Sequence, residues 1–297
     1  MIRKRIIHKP FDLGFDILYN ECPEDLLELI NAPGKFVRKA NVNVYVGEGD
    51  KARMDTSYIA NPDYKTLFRT AVCNGEHQST PVDDDKLEMM GDYMVQQIHD
   101  ENLPQFSWVA SHIPKEKHKQ EIEYTASNII RPIFLDLGEE DNKKRLNTVT
   151  NIITQQDHIS KKDALNLGII VLFAPRDRAC EITEEVVELY VKIADQLSKK
   201  VEYTVYSVLR IMVDAYFDEE SEYERLINML DNNTSVEATE RFVSLEIMHN
   251  DLEAAHNDLE IAHNDLEAAH NDLEVAENRI KELEAKVEEL EGQLDSK

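Results

Sequence analysis

Three residues in the first third of the chain combine side-chain types and spacing suited to metal-dependent chemistry. Asp55 lies in one extended segment, and Glu76 with Gln78 lies in the next. Alternate residues of a strand point to the same face, so Glu76 and Gln78 would face one cleft while His77 points away. Mg²⁺ typically binds through one or two carboxylates together with water and substrate phosphate. The spacing therefore predicts a site for Mg²⁺ or Mn²⁺ formed by Asp55 and Glu76 on adjacent strands.

The apolar patterns around these residues predict an α/β fold. Helical spacing is found in residues 22–30, which carry Glu28, and in residues 84–100. Extended segments are expected over residues 40–46, 53–59, 66–78, 106–110 and 129–135. Residues 138–244 should be mainly helical, with helices over 184–198, 203–217 and 237–247. A central sheet would thus carry the polar residues, and helices would cover it.

At these residues the chain resembles the PD-(D/E)XK nuclease superfamily. More narrowly, it resembles the recombination-promoting nuclease and transposase-like family, in which the usual Glu-x-Lys motif is written Glu-x-Gln. The likeness lies in the order helix, strand with Asp55, hairpin, strand with Glu76 and Gln78, and a helix containing Tyr93. It covers roughly residues 11–135. The motif is short, so the order of elements carries most of the weight.

The resemblance implies a restriction-endonuclease-like αβα core with a mixed sheet, DNA as the substrate and metal-dependent phosphodiester hydrolysis. Asp55 and Glu76 would bind the metal, and the backbone carbonyl of His77 would add a ligand. Gln78 would orient the attacking water where other members use Lys, and Glu28 would steer a second metal or a water. A glutamine cannot carry the positive charge of that lysine, and the segment between Asp55 and Glu76 is long.

The C-terminal residues 248–297 are built from heptads. Four nearly identical repeats beginning with His-Asn-Asp-Leu-Glu are followed by three more divergent ones. Apolar residues occupy the a positions Leu252, Leu259, Leu266, Leu273, Ile280, Val287 and Leu294. This period predicts a long coiled-coil tail, and the β-branched a residues with Leu at d in the distal half favour a parallel dimer. Alanine at d in the proximal half also leaves antiparallel packing open.

The expected organisation is a nuclease-like core over residues 1–136, a mainly helical subdomain over 137–247 and the coiled coil over 248–297. The formal net charge is −26, which argues against broad sequence-independent adhesion to DNA. Local basic clusters remain candidates for contact, among them Lys35, Arg38 and Lys39. No apolar run reaches the roughly 18 residues of a membrane span. We therefore expect a cytoplasmic protein without a membrane partner.

Two functions from different classes fit these observations. The first is a Mg²⁺-dependent DNA endonuclease that self-associates through its tail, so that two sites can cut both strands. The second is a catalytically inactive nuclease-fold scaffold or interaction protein, oligomerised by the repeats. Each assignment has a plainer alternative: Asp55 as an exposed strand residue or turn cap, Glu28 as a solvated helix residue, and Gln78 as an edge-strand polar residue.

Overall fold

The computed structural model describes residues 9–46, 50–125 and 128–295. The chain divides into two compact units, Met1–Val243 and Ser244–Lys297. The helices are α1 (Pro10–Glu21), α2 (Pro23–Leu29), α3 (Asp84–Glu101), α4 (Glu139–Thr154), α5 (Lys161–Leu172), α6 (Ala179–Val191), α7 (Lys199–Tyr216), α8 (Glu220–Asn232) and α9 (Val236–Asp295). The strands are β1 (Lys35–Lys39), β2 (Asn43–Val46), β3 (Asp50–Arg53), β4 (Thr56–Asn61), β5 (Ala71–Gln78), β6 (Gln105–Ser111), β7 (Ile122–Thr125), β8 (Asn128–Ile130) and β9 (Ile133–Asp136).

The first unit is organised around a mixed five-stranded sheet with the order β1-β4-β5-β6-β9. Strands β1, β4 and β5 pair antiparallel, whereas β5, β6 and β9 pair parallel. Helix α3 connects the parallel strands β5 and β6, as such a connection requires a crossover. The α/β class predicted from the sequence is therefore confirmed.

Helices cover both faces of this sheet. On one face, Lys86 and Gln97 of α3 donate hydrogen bonds to side chains of β5 and β4. On the other face, Phe15 of α1 and Phe173, at the end of α5, contact the ring of His77. The helices predicted as a separate subdomain pack with α1 inside the first unit, because the buried face of α7 meets α1 and α5.

Several boundaries differ from the sequence predictions. The helix expected over residues 84–100 is confirmed as α3. The strand expected over 129–135 is wrong as a single element, because Arg131 and Pro132 separate β8 from β9. The helix expected over 184–198 begins earlier and ends at Val191. Helix α1 was not predicted, since apolar residues at 11, 13, 15 and 17 also alternate as in a strand.

In the second unit the chain is helical, as part of α9, and this part of α9 carries the heptads. The a-position residues Leu252, Leu259, Leu266, Leu273 and Ile280 are each more than half exposed. Among the described helices, none has both the length and the apolar character required to cross a bilayer.

The connection between β4 and β5 is held in one conformation by Asp63. Its carboxylate accepts hydrogen bonds from the backbone N–H groups of Gly34 (2.9 Å), Thr66 (2.9 Å) and Leu67 (2.8 Å). The Leu67 side chain is fully buried beneath the loop. Partial burial alone would raise the pKa of Asp63, but the hydrogen bonds from Thr66, Gly34 and Leu67 outweigh it and hold that pKa well below its ordinary value.

This loop makes stability depend on pH in a defined direction. Because the folded-state pKa of Asp63 is depressed, its contribution is fully present above the unfolded-state pKa of about 4. It decreases below that pH and is lost as the pH falls through the folded-state value. Asp63→Asn, which turns one acceptor into a donor, should lower the free energy of unfolding at pH 7 by about 2 kcal/mol.

Urea unfolding of wild type and Asp63→Asn between pH 7 and pH 2.5 measures this difference, with the exposed Asp195→Asn as the matched control. The gap between wild type and Asp63→Asn should narrow below pH 4. A gap that stays constant across this range would contradict the assignment.

Candidate functional site

The antiparallel pairing of β4 and β5 brings Asp55 and Glu76 to the same end of the sheet. Thr56 is opposite Gly75. Asp55, which precedes Thr56, and Glu76, which follows Gly75, are therefore neighbours. The Asp55 carboxylate accepts a hydrogen bond of 2.7 Å from the backbone N–H of His77. Glu76 is only 3% exposed. The predicted proximity of these two carboxylates is thus present in the structure.

Gly75 allows the close packing that fixes this register. A Cβ at this position would lie 2.0 Å from Cζ2 of Trp108 and 2.4 Å from Oγ1 of Thr56. Trp108, opposite Gly75 on β6, is fully buried. The Thr56 hydroxyl also donates to the Gly75 carbonyl at 3.1 Å. The indole therefore lies over the strand immediately before Glu76, where any larger residue would displace it.

Lys86 supplies a cation to the buried carboxylate. Its Nζ is 2.7 Å from Oε2 of Glu76, and its side chain is 20% exposed. Lys86 is in the first turn of α3, where its backbone N–H donates to the Asp83 carboxylate at 3.0 Å. The start of α3 therefore aims an ammonium group at the end of β5.

Burial makes both carboxylates difficult to ionise. For Asp55, burial and then repulsion from Glu76 raise the pKa well above its usual range, and the His77 N–H opposes this only in part. For Glu76, burial raises the pKa and the Lys86 ammonium lowers it, with a net rise. A proton on either group can bridge the two carboxyls; otherwise Glu76 Oε1 has no hydrogen-bond donor among the described residues. The pair thus lacks part of the positive charge that two carboxylates require.

Two further groups contribute to the electrostatics of the pair. Asp12 of α1 adds negative charge that raises the pKa of both Asp55 and Glu76. Its side chain is 55% exposed. The buried Tyr93 of α3 has its pKa raised by burial and then by the charges of Glu76 and Asp55. A third carboxylate and a phenol therefore interact electrostatically with the pair.

His77 occupies the opposite face, as the alternation of β5 predicts. Its ring stacks on Phe15 at 5.4 Å and meets Phe173 edge-on at 5.0 Å. Neither ring nitrogen has a hydrogen-bond partner within the described part of the chain, and Nδ1 is 3.9 Å from the Asp12 carboxylate. The His77 side chain therefore packs in an aromatic cage, and its backbone N–H is the group that contacts Asp55.

The other two predicted residues, Gln78 and Glu28, differ in their distance from the carboxylate pair along the fold. Gln78 is the last residue of β5, half-buried, and its carbonyl accepts a 2.7 Å hydrogen bond from Ser111. Glu28 lies on the outer side of α2, where its side chain is 65% exposed and pairs with Lys162 at 2.5 Å. The structure brings Asp55, Glu76 and the backbone of His77 together. It does not bring Glu28 to them, whereas the charge of Asp12 on α1 raises the pKa of both carboxyl groups.

Sequence reasoning did not find Lys86 or Asp12. Lys86 lies eight residues after Gln78, in the first turn of the predicted helix. A crossover helix begins near the end of the strand that it follows, so this short spacing was the signal that could have placed Lys86 beside Glu76. Asp12 could have been found only if α1 had been recognised as a helix. Both residues act through tertiary packing that a strand motif does not encode.

A cavity of about 860 Å³ opens beyond the carboxyl ends of β5, β6 and β9. Its lining begins at Ser79, one residue after β5, and includes the cations Lys117 and Arg176. Five carboxylates also line it: Asp136, Glu139, Glu140, Asp141 and Asp177. Its excess of acidic residues does not favour a phosphate-rich ligand.

The donor set fits a hard divalent cation held by two carboxylates, with the remaining ligands from water and substrate. Among the described residues, no group of three or more His, Cys, Asp or Glu side chains is arranged to hold a metal by itself. Comparison with protein-family models, with curated proteins and with solved structures finds no match for this chain.

Proposed function

We propose that this protein is a metal-dependent DNA endonuclease whose centre is Asp55, Glu76 and Lys86. The observation that carries this proposal is a carboxylate pair, the buried Glu76 and the half-buried Asp55, with raised pKa values beside an ammonium group. Such an arrangement costs stability unless a cation is bound, and perturbed carboxylates of this kind concentrate at functional sites. The inactive-scaffold alternative gives no reason to retain it.

The topology supports a restriction-endonuclease-like core. Following α1 and α2, the sheet strands occur in the order β1, β4, β5, then α3, then β6. Three antiparallel strands are thus followed by a helical crossover to a parallel strand. The resemblance implies the order helix, strand with Asp55, hairpin, strand with Glu76 and Gln78, and helix with Tyr93. In the structure Asp55 lies immediately before β4, Glu76 and Gln78 lie on β5, and Tyr93 lies on α3.

In this proposal Asp55 and Glu76 hold Mg²⁺ or Mn²⁺, with the His77 carbonyl as a further ligand. The bound ion would lower the pKa of a water and offset negative charge on the phosphate. The His77 N–H fixes the orientation of the Asp55 carboxylate. Gln78 orients the attacking water, and Lys86 provides the positive charge that glutamine cannot. The Lys86 ammonium acts on charge that develops at the phosphate.

Self-association through the tail is the second part of the proposal. The exposed residues Leu252, Leu259, Leu266 and Leu273 recur at seven-residue intervals on α9. A helix with an apolar stripe exposed to water gains stability by burying that stripe against a partner. A parallel dimer of two copies would bury these residues and pair two catalytic centres for cutting both strands.

The first prediction separates catalysis from stability. Asp55→Asn and Glu76→Gln should each lower metal-dependent plasmid nicking by at least about a hundredfold, since each removes an anionic ligand. Without metal, Asp55→Asn should raise Tm by roughly 2–4 °C, because it relieves repulsion within the pair. Glu76→Gln should give no gain, as it leaves Lys86 without its partner.

Supercoiled plasmid incubated with Mg²⁺, Mn²⁺ or chelator measures the nicking, and thermal melts measure Tm. The exposed Glu28→Gln tests the role that the resemblance implies for Glu28, and this variant is expected to cut as wild type. Wild-type nicking by both site variants would exclude this centre.

The second prediction concerns the role of the Lys86 ammonium group. Lys86→Met should reduce nicking by about 10²–10³-fold, as does loss of one group that stabilises transition-state charge. Adding Gln78→Lys to Lys86→Met should restore part of this loss by placing an ammonium on the strand. The control is Lys119→Met, which removes an exposed lysine paired with Asp84. Undiminished nicking by Lys86→Met would refute the role.

The third prediction tests the assembly in the full chain. Replacing Leu259 and Leu266 by Lys should reduce the mass from dimer to monomer, because two charges would enter the apolar seam. Asn257 and Asn264 lie at f positions away from the seam, so their replacement by Lys is the matched control. Light scattering gives the mass, and equal masses for both double variants would contradict the coiled-coil interface.

A further inference from the structure

The β4–β5 loop presents two unusually exposed aromatic rings. Tyr64 and Phe68 are 77% and 75% exposed. Exposed cationic residues, Lys65 and Arg69, follow each ring directly in the sequence. Within the described residues, none of these four side chains makes a hydrogen bond, ion pair or ring contact. The loop thus displays an aromatic–cation pattern that the structure itself does not use.

Hydrogen bonds and a buried leucine fix the backbone of the loop, which distinguishes it from an ordinary exposed turn. Asp63 fixes its backbone through the hydrogen bonds described above, and Leu67 anchors it between the two rings. Gly34, at φ +75°, lies beneath it; a Cβ there would be 2.8 Å from Cδ2 of Leu67. Because the backbone that carries the rings is fixed before binding, the loop loses little conformational entropy when a ligand stacks on them.

A cationic edge strand continues from this loop toward the carboxylates. Strand β1 pairs with β4 so that Lys35 is opposite Asn61, beside the loop, and Lys39 is opposite Tyr58. Ala40 then bonds Ser57, two residues from Asp55. Arg38 pairs with Glu101 and Lys39 with Asn20, whereas Lys35 has no described side-chain partner. This edge is a basic strip in a chain of net charge −26.

We propose that the loop and β1 form a binding surface for single-stranded nucleic acid, with bases stacked on Tyr64 and Phe68. Lys35, Lys65 and Arg69 contact the phosphates. Aromatic platforms interleaved with cations bind unpaired bases in a sequence-tolerant way, because every base has a stacking face. Duplex bases are stacked on one another and cannot use these rings. The surface follows β1 toward Asp55, so it deepens the proposed nuclease function by selecting strands with unpaired regions.

The test measures binding apart from cleavage. Full-length protein in chelator is titrated into fluorescein-labelled dT20 and into a duplex of equal length, and fluorescence anisotropy is recorded. Wild type should bind dT20 more tightly than the duplex. Tyr64→Ser and Phe68→Ser should each weaken dT20 binding about tenfold, the effect of losing one stacked base. Lys65→Gln with Arg69→Gln should flatten the salt dependence.

Matched variants identify the interaction. Phe68→Tyr should keep the wild-type affinity for dT20, and Phe68→Leu should weaken it about as much as Phe68→Ser does, since stacking requires a ring rather than apolar area. Ile129→Ser, which removes an exposed apolar residue on β8, and Lys144→Gln should bind as wild type. Absence of dT20 binding by the wild type, or wild-type affinity for dT20 in both Tyr64→Ser and Phe68→Ser, would overturn the proposal. So would loss of binding to phosphatidylserine vesicles in these variants while dT20 binding is unchanged.

The two proposals fail separately. If the wild-type protein binds dT20 through this surface but never nicks DNA, the proposed binding surface is supported and the proposed nuclease function is excluded. If nicking depends on metal and is lost in Asp55→Asn, but Tyr64→Ser and Phe68→Ser do not change dT20 binding, the nuclease function is supported and the binding surface is excluded.

Discussion

The antiparallel pairing of β4 with β5 is the constraint on which the site depends. It places Asp55, which precedes one strand, beside Glu76, near the end of the next. A shift of one residue would turn the Glu76 side chain to the aromatic face and His77 toward α3. The register is held by Gly75 packing under Trp108 and by a side-chain network in which Gln97 donates to Ser57 and Ser57 to Asn74. Buried polar groups specify a register because a misaligned strand would leave them without partners.

The same pairing brings two carboxylates together, and the surrounding residues neutralise their negative charge only in part. Two carboxylates within one buried space repel each other, and Lys86 reaches only one of them. Apolar residues of similar size would stabilise this position better than a partly compensated charge cluster. The cluster is therefore costly as structure but suited to binding a cation, which would complete the neutralisation. Stability and activity are expected to oppose each other here.

Local patterns in the sequence were sufficient to predict part of this arrangement. The period-two alternation of β5 predicts that Glu76 and His77 face opposite sides, and the structure confirms it. Helix α3 was also predicted, because its apolar residues recur at helical spacing. Helix α1 was not, since its inward residues Phe11, Leu13, Phe15 and Ile17 alternate as in a strand, and its packing against α5 and α7 decides its conformation. Asp12 was missed with it, and Lys86 was missed because its partner is set by the crossover.

The charge distribution links the carboxylate centre to the basic edge. An acidic chain repels nucleic acid over most of its surface, so productive contact requires places where cations outnumber acids. The cavity at the carboxyl ends of β5, β6 and β9 is not such a place, because five carboxylates oppose Lys117 and Arg176. The edge formed by β1 and the β4–β5 loop is one, since Asp63 is committed to backbone hydrogen bonds and Lys35, Lys65 and Arg69 remain available. On the binding surface proposed above, general repulsion together with this basic strip would confine a nucleic-acid strand to the edge that leads toward Asp55, and this would give selectivity without base-specific contacts.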